Sequence, residues 1–280
     1  MKSKSTNLEK SKSSPKVRTI FQVLSLVGTF LIGLRHIMPG ESSRGGAFDS
    51  FCPLGGIETL LPYLQTGQTL KTTNLMNFAL LIGVLGVSLL AGRAFCGWIC
   101  PVGAAQEFLA DLASQLTGGN KKRRGKTDRL ILPINISQKF DPWLRSLKYL
   151  ILAIVVLAST WTIYPPLHEI CPARAIFSFQ LSAPLLISVL VVFIITSMVN
   201  RLFWCKYLCP LGAALAIFNK IAPMRLVLNQ DSCTACGRCD PVCPMDIQNV
   251  PENLRSAECI QCLECLETCT VHGSIQIQLG

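Results

Sequence analysis

Charge and histidine are both scarce in this sequence. Only 15% of its 280 residues are charged, half are hydrophobic and the mean hydropathy is +0.43. That balance excludes an ordinary soluble domain of this size and makes a membrane protein the first expectation. Histidine occurs three times, at His36, His168 and His272. Two bis-His haems stacked across a membrane need more, and no apolar interval holds a histidine in its interior, so haem is not expected. A single outer haem between His36 and His168 is the most that could be argued, and histidines at span ends are usually interface residues. The sequence has no C-x2-C-H attachment site, no G-x-G-x-x-G and no phosphate-binding loop, which leaves covalent haem, nicotinamide and nucleotide chemistry without support. Polar faces at a 3.6-residue period are missing from LLIGVLGVSLLAG and LLISVLVVFIITSMV, which argues against buried helices of a soluble bundle. No small-residue cleavage site follows the first apolar run, which therefore reads as a retained span.

What is present begins with four charge-free intervals, Thr19–Leu34, Thr72–Gly92, Tyr149–Leu167 and Ala175–Asn200, of 16, 21, 19 and 26 residues. A helix crossing a bilayer needs roughly 20; the first is short, but Arg18 and Arg35 at its ends can snorkel. With four spans, the tail 1–18, the central loop and the C-terminus share one side, and that side carries 22 of the 26 Lys and Arg. Both termini are therefore expected in the cytoplasm of a prokaryotic cell, on the inner face of a multi-pass membrane protein. The net charge of +10 is then topology and not a nucleic-acid signal. The tail MKSKSTNLEKSKSSPK reads as a disordered basic flank. Against this basic face, Met224–Gly280 holds 3 Arg and 7 Asp or Glu.

That acidic segment contains CTACGRCDPVCP, with Cys233, Cys236, Cys239 and Cys243, and CIQCLECLETC, with Cys259, Cys262, Cys265 and Cys269. Both runs are C-x2-C-x2-C-x3-C, the spacing of bacterial two-cluster ferredoxins, in which three cysteines of one run and the last of the other hold each cubane. Carried over by position, Cys233, Cys236, Cys239 and Cys269 would bind one [4Fe-4S] cluster, and Cys259, Cys262, Cys265 and Cys243 the other. Zinc more often uses separated C-x2-C knuckles, and disulfides do not suit a cytoplasmic segment. MRLVLNQ and SIQIQLG alternate like strands and can pair beside the clusters.

A second signal is repeated within the chain. FCGWICPVGAA and WCKYLCPLGAA each follow an apolar interval, so the unit of span, outer loop, span, C-x3-C-P and helix occurs twice. Proline after the second cysteine suits the first turn of a helix, where the dipole favours thiolate at Cys100 and Cys209. Pseudo-twofold pairing would gather Cys96, Cys100, Cys205 and Cys209 into a third cluster site; two zinc half-sites or unligated buried cysteines are the alternatives. The expected architecture is an all-α membrane domain of four transmembrane helices over 19–222, built as a duplicated two-helix unit (19–116 and 146–222, joined by the basic loop 117–145). A small α+β ferredoxin-like domain with two [4Fe-4S] clusters follows over 223–280.

The pairing of the two C-x3-C-P-x-G-A motifs with a two-cluster ferredoxin segment resembles the NapH-type membrane iron–sulfur proteins, relatives of the C-terminal part of NosR-like and CcoG-like proteins. The resemblance covers nearly all of Thr19–Gly280. It implies electron transfer between the quinone pool and clusters on the cytoplasmic side, with redox partner proteins in a membrane complex and a role as an oxidoreductase or quinol dehydrogenase subunit.

One pair of cysteines departs from that pattern. Cys52 in FCPLGGIE and Cys171 in ICPARAIF occupy matching outer loops, where they read as a structural disulfide, a redox-active pair or metal ligands. Arg35, Arg44, Glu58, Glu169 and Arg174 are outer-side candidates for proton handling or quinone contact, and solvated loop charge explains them as well. Three function classes follow: a quinone-linked carrier, a redox-supply factor sending cytoplasmic electrons outward through Cys52 and Cys171, and a redox sensor. No separate output domain is visible for the last.

Overall fold

A computed structural model describes residues 14–37, 53, 55–56, 75–116, 141–161, 171–177, 184–271 and 273–279. Cys52, Arg44, Glu58, His168, Glu169 and His272 lie outside the described residues, as do the side chains of Arg35 and His36. The helices are α1 (Ser14–Ile37), α2 (Leu75–Ala91), α3 (Ala94–Trp98), α4 (Pro101–Leu116), α5 (Asp141–Trp161), α6 (Pro172–Phe177), α7 (Pro184–Val199), α8 (Phe203–Tyr207) and α9 (Pro210–Asn219). The C-terminal segment adds β1 (Met224–Leu228), α10 (Cys239–Val242), α11 (Glu264–Thr268) and β2 (Ile275–Leu279). Pro101, Pro172, Pro184 and Pro210 each open a helix, the position at which a missing N–H costs no hydrogen bond.

The duplication is visible in three dimensions. The series α2–α3–α4 returns as α7–α8–α9 with the same spacing throughout. The packing is reciprocal: α1 lies on α3 and α4 as α5 lies on α8 and α9, while α4 packs on α7 and α9 on α2. Each half thus lends its last helix to the other half. The helices after the cysteine motifs turn back into the bundle, and α4 buries Gly103, Ala104, Gln106, Glu107, Ala110 and Ala113.

Among the described residues one stretch, Lys16–Leu34 within α1, has the length and hydropathy to cross a membrane; Asn77–Ala91, Pro184–Val199 and Pro210–Asn219 are apolar but shorter. The outward faces are nonetheless apolar: Leu24 and Leu31 on α1, Ile82 and Leu90 on α2, Leu157 on α5 and Ile195 on α7 are all exposed. The third charge-free interval begins at Tyr149, whereas α5 begins at Asp141. Asp141 and Pro142 form a helix-start signal that a search for uncharged residues passes over, and Asp141 accepts from Arg145 Nε at 2.8 Å.

In the C-terminal domain β1 and β2 pair antiparallel, from Met224 opposite Leu279 to Leu228 opposite Ile275, so the two alternating segments form the expected small sheet. Leu226, Val250, Leu254, Cys265 and Ile275 make its core. A second core joins the domain to the bundle: Val84, Cys96, Leu202, Cys205, Leu211 and Leu215 pack with Met245 and Ile260.

Charge completes the joint. Lys206 is fully buried and donates to Asp246 Oδ2 at 2.6 Å and Asn200 Oδ1 at 2.8 Å. Arg18 pairs with Glu107 and, at 2.7 Å, with Glu264. Arg145 reaches the Met245 carbonyl at 2.9 Å. The basic face of the bundle and the acidic C-terminal domain therefore meet through specific pairs. Removing one partner leaves a buried charge uncompensated, at a cost of about 3–5 kcal/mol. Asp246→Ala is expected to lower the thermal midpoint of the protein substantially. The exposed change Lys220→Ala should leave it within the scatter of the parent.

Candidate metal centres

The four cysteines of the repeated motifs come together. Cys96 sits in α3 and Cys205 in α8, both buried, while Cys100 and Cys209 directly precede α4 and α9. Each of the four lies within electrostatic reach of the other three. Donors from the protein address their sulfurs. Gln106 Nε2 in the first half donates to Cys205 Sγ in the second at 3.2 Å, and the Gly212 N–H donates to Cys209 Sγ at 3.3 Å. Gln106 Oε1 in turn accepts from the Trp204 N–H at 2.9 Å.

The expectation that a helix N-terminus favours thiolate meets a larger opposing effect. Burial, with the neighbouring Cys96 next, pushes the Cys100 thiol up to about 12 and the Cys209 thiol up to about 11, although backbone N–H groups at Gly103 and Gly212 pull the other way. Two buried and two half-buried thiols so arranged resist ionisation unless a cation joins them, which is the chemistry of a metal-ligand set. Among the described residues no three His, Cys, Asp or Glu side chains crowd around a single-ion position. A cubane makes no such demand, because each thiolate takes its own iron corner.

Glycine in the motif has a steric reason. A Cβ at Gly103 would stand 2.7 Å from the Cys96 carbonyl oxygen, and one at Gly97 would stand 2.7 Å from the Ile260 carbonyl oxygen. The first close approach folds α4 against its own cysteine turn; the second brings the ferredoxin loop onto the bundle. Around that contact Trp98 Nε1 donates to the Gln261 carbonyl at 3.0 Å, and Asn219 Nδ2 donates to the carbonyls of Ser256 and Cys259 at 2.8 and 3.0 Å.

Seven of the eight cysteines of the C-terminal domain lie within electrostatic reach of one another in two adjoining groups. Cys243 of the first run lies within reach of Cys259, Cys262 and Cys265, while Cys239 lies within reach of Cys236 and of Cys269 from the second run. Cys265 also reaches Cys239, so the two groups adjoin. The backbone of the two runs is alike: Ala235 and Gln261 both have φ of 49°, and Gly237 and Leu263 have φ of 67° and 65°. Left-handed residues at these places wind the chain so that successive N–H groups converge on one side, an anion-holding nest suited to a negatively charged cluster.

Cys171 precedes α6 and lies on a cavity of about 430 Å³ whose wall also includes Cys96, Cys100, Cys205 and Cys209. Pro53, next to Cys52 in the sequence, lines the same space. Arg174 falls in the last turn of α6. Arg93, Lys148 and Glu258, which belong to no cysteine motif, form an ion-paired cluster that acts on both Cys96 and Cys259. A buried cation three residues before a motif cysteine is the signal that could have marked Arg93.

A duplicated cysteine-bearing helical bundle joined to a two-run cysteine domain defines an iron–sulfur protein of the ferredoxin type. The comparisons agree. A 4Fe-4S binding domain family matches residues 73–123 and 181–228, and a 4Fe-4S dicluster domain family matches 225–270. YccM of Escherichia coli, whose name assigns it provisionally to electron transport, is 31% identical over 90% of this chain and 70% of its own. The methylamine utilization ferredoxin-type protein MauN of Methylorubrum extorquens is 29% identical over 81% of this chain and 73% of its own. The ferredoxin-type protein NapH of Haemophilus influenzae is 29% identical over 65% and 59%. No solved structure matches. The chain belongs to the NapH-type family of 4Fe-4S ferredoxin-like electron transport proteins.

The Gly103 contact yields a direct test. Gly103→Ala should displace the Cys96 turn and lower the iron retained per chain. Gly28→Ala, where an added Cβ meets nothing within 4 Å, should retain the parental amount.

Proposed function

We propose that the protein is a membrane-seated relay with three [4Fe-4S] centres that exchanges electrons between a quinone and partner proteins of a membrane complex. The observation that carries this reading is the meeting of Cys96, Cys100, Cys205 and Cys209 on one apolar cavity, with the ferredoxin loop packed behind them at Gly97. Their arrangement suits a cubane shared between the two halves. Cys233, Cys236, Cys239 and Cys269 would hold the second centre, and Cys259, Cys262, Cys265 and Cys243 the third. When bound, such clusters supply one-electron carriers whose potentials follow hydrogen bonding, charge and burial. The chain's own part is to hold them in sequence. Ile260 and Arg93 lie between the bundle cysteines and the Cys259 group, and Cys265 faces Cys239 of the outermost group.

The membrane seat is supported by the exposed apolar faces of α1, α2, α5 and α7 and by the placing of 22 of 26 Lys and Arg on one side of a four-span topology. Both termini and the ferredoxin domain then face the cytoplasm. The cavity falls within the size range of small-molecule sites, and its apolar wall suits a quinone ring.

If the bundle cysteines share a cubane, the full-length protein purified without oxygen should carry about twelve irons per chain and Cys209→Ser about eight. A parent with about eight irons would remove the bundle centre.

A second reading is favoured by Cys171, which lies on the same cavity and within electrostatic reach of Cys209. In it electrons leave the relay outward to a thiol, metal or cofactor through Cys171 and Cys52. Mass-tagging of thiols in intact cells separates the two. Under outward supply, Cys243→Ser should shift Cys52 and Cys171 toward disulfide, whereas the quinone-linked reading expects the parental oxidation state.

A further inference from the structure

Arg93 is the contact through which the bundle cysteines and the second ferredoxin run meet. Its side chain is wholly buried. One Nη donates to Glu258 at 2.8 Å and to the Ala257 carbonyl at 3.4 Å, and the other donates to the Cys205 carbonyl at 3.3 Å. Its Nε is buried with no hydrogen-bond partner. Cys96 and Glu258 both act on the buried guanidinium, and Arg93 also acts on Cys205, Cys209 and Cys259. One cation therefore faces thiols of two different candidate centres.

The charge count around it exceeds what packing requires. Glu258 is shared between Arg93 and the fully buried Lys148, and Arg145, paired at 2.8 Å with Asp141, stands 4.0 Å from the same carboxylate. Two buried cations thus divide one carboxylate. A fold that needed only an anchor between its two parts would be better served by a neutral pair, since surplus buried charge is costly. The surplus gains a partner when a cluster takes up an electron, because reduction adds one negative charge in a low-dielectric setting where a fixed cation is effective. The unpartnered Nε adds a donor beside the sulfur layer, and hydrogen bonds to cluster sulfurs favour the reduced state in the same sense.

We infer that Arg93 is a potential-setting, positioning residue: its guanidinium stabilises the reduced form of the centre held by Cys96, Cys100, Cys205 and Cys209, and acts on the neighbouring centre that includes Cys259. Glu258 tempers that charge, so the pair poises two centres from one point. The step is a one-electron reduction of an oxidised cluster by its neighbour in the relay, with no bond made or broken in the chain. The inference rests on the third centre of the proposed function.

The test is an EPR-monitored redox titration of the full-length protein, with iron counted in each sample. Arg93→Gln should move the midpoint of the bundle centre to lower potential, and that of the Cys259 centre by a smaller amount. Glu258→Gln should move the bundle centre to higher potential, and Arg93→Lys should stay near the parent. The centre of Cys233, Cys236, Cys239 and Cys269 serves as the internal reference. Opposite shifts in Arg93→Gln and Glu258→Gln support the inference, because a packing defect would move both the same way. An unchanged midpoint in fully loaded Arg93→Gln overturns it, as do shifts of the same sign in the two variants. Should Arg93→Gln fail to load iron, the sign of the Glu258→Gln shift and the parental midpoint of Arg93→Lys decide. A parent lacking the bundle centre by iron count overturns both this inference and the proposed reading, whereas unmoved midpoints at full iron overturn this inference alone.

Discussion

Buried cations held by a small number of carboxylates are the constraint on which the rest of the molecule depends. Arg93, Lys148 and Lys206 are completely enclosed, and their counter-charges, Glu258 and Asp246, come from the C-terminal domain. Neither side can leave the other without stranding charge in a medium that solvates it poorly. The two parts consequently share one hydrophobic core, in which Cys96 and Cys205 pack beside Met245 and Ile260. The cysteines of the bundle are held against those of the ferredoxin segment by the same contacts that keep the domains together.

The duplication gives this joint its form. Because α4 packs on α7 and α9 on α2, the turns carrying Cys96–Cys100 and Cys205–Cys209 face each other. Gln106 then reaches from the first half to a sulfur of the second. Glycine permits the close approaches: at Gly103 and Gly97 a side chain would collide with a carbonyl oxygen. The motif C-x3-C-P-x-G-A is thus a geometric unit in which proline starts the helix and glycine lets it lie against the cysteine turn. The C-terminal runs use a different device, left-handed residues at matching places, to turn backbone N–H groups inward.

Much of this was legible in the sequence because it is local. The spacing of the two ferredoxin runs, the alternation of MRLVL and IQIQL, the prolines that open helices and the repeat of the cysteine motif each depend on residues within a few positions of one another. The first residue of α5 was missed because charge-free length is a poorer guide than a helix-start signal, here Asp141 and Pro142. The bias of basic residues toward one side and of acidic residues toward the C-terminal segment was legible as well. It could not say which carboxylate meets which cation.

That choice belongs to the tertiary structure. Arg93 and Glu258 are 165 positions apart, and nothing in either neighbourhood names the other; only the packing of α3 against the loop before Cys259 brings them within hydrogen-bond distance. The convergence of Cys171 on the cavity beside Cys209 is likewise invisible to spacing. The sequence by itself determined the cysteine runs, their spacing and the twofold repetition, because those are encoded in short-range pattern. Which half-site meets which, and what charge stands between them, was decided by the reciprocal packing of helices from two halves of the chain, where burial makes every unpaired charge and every added methyl group costly.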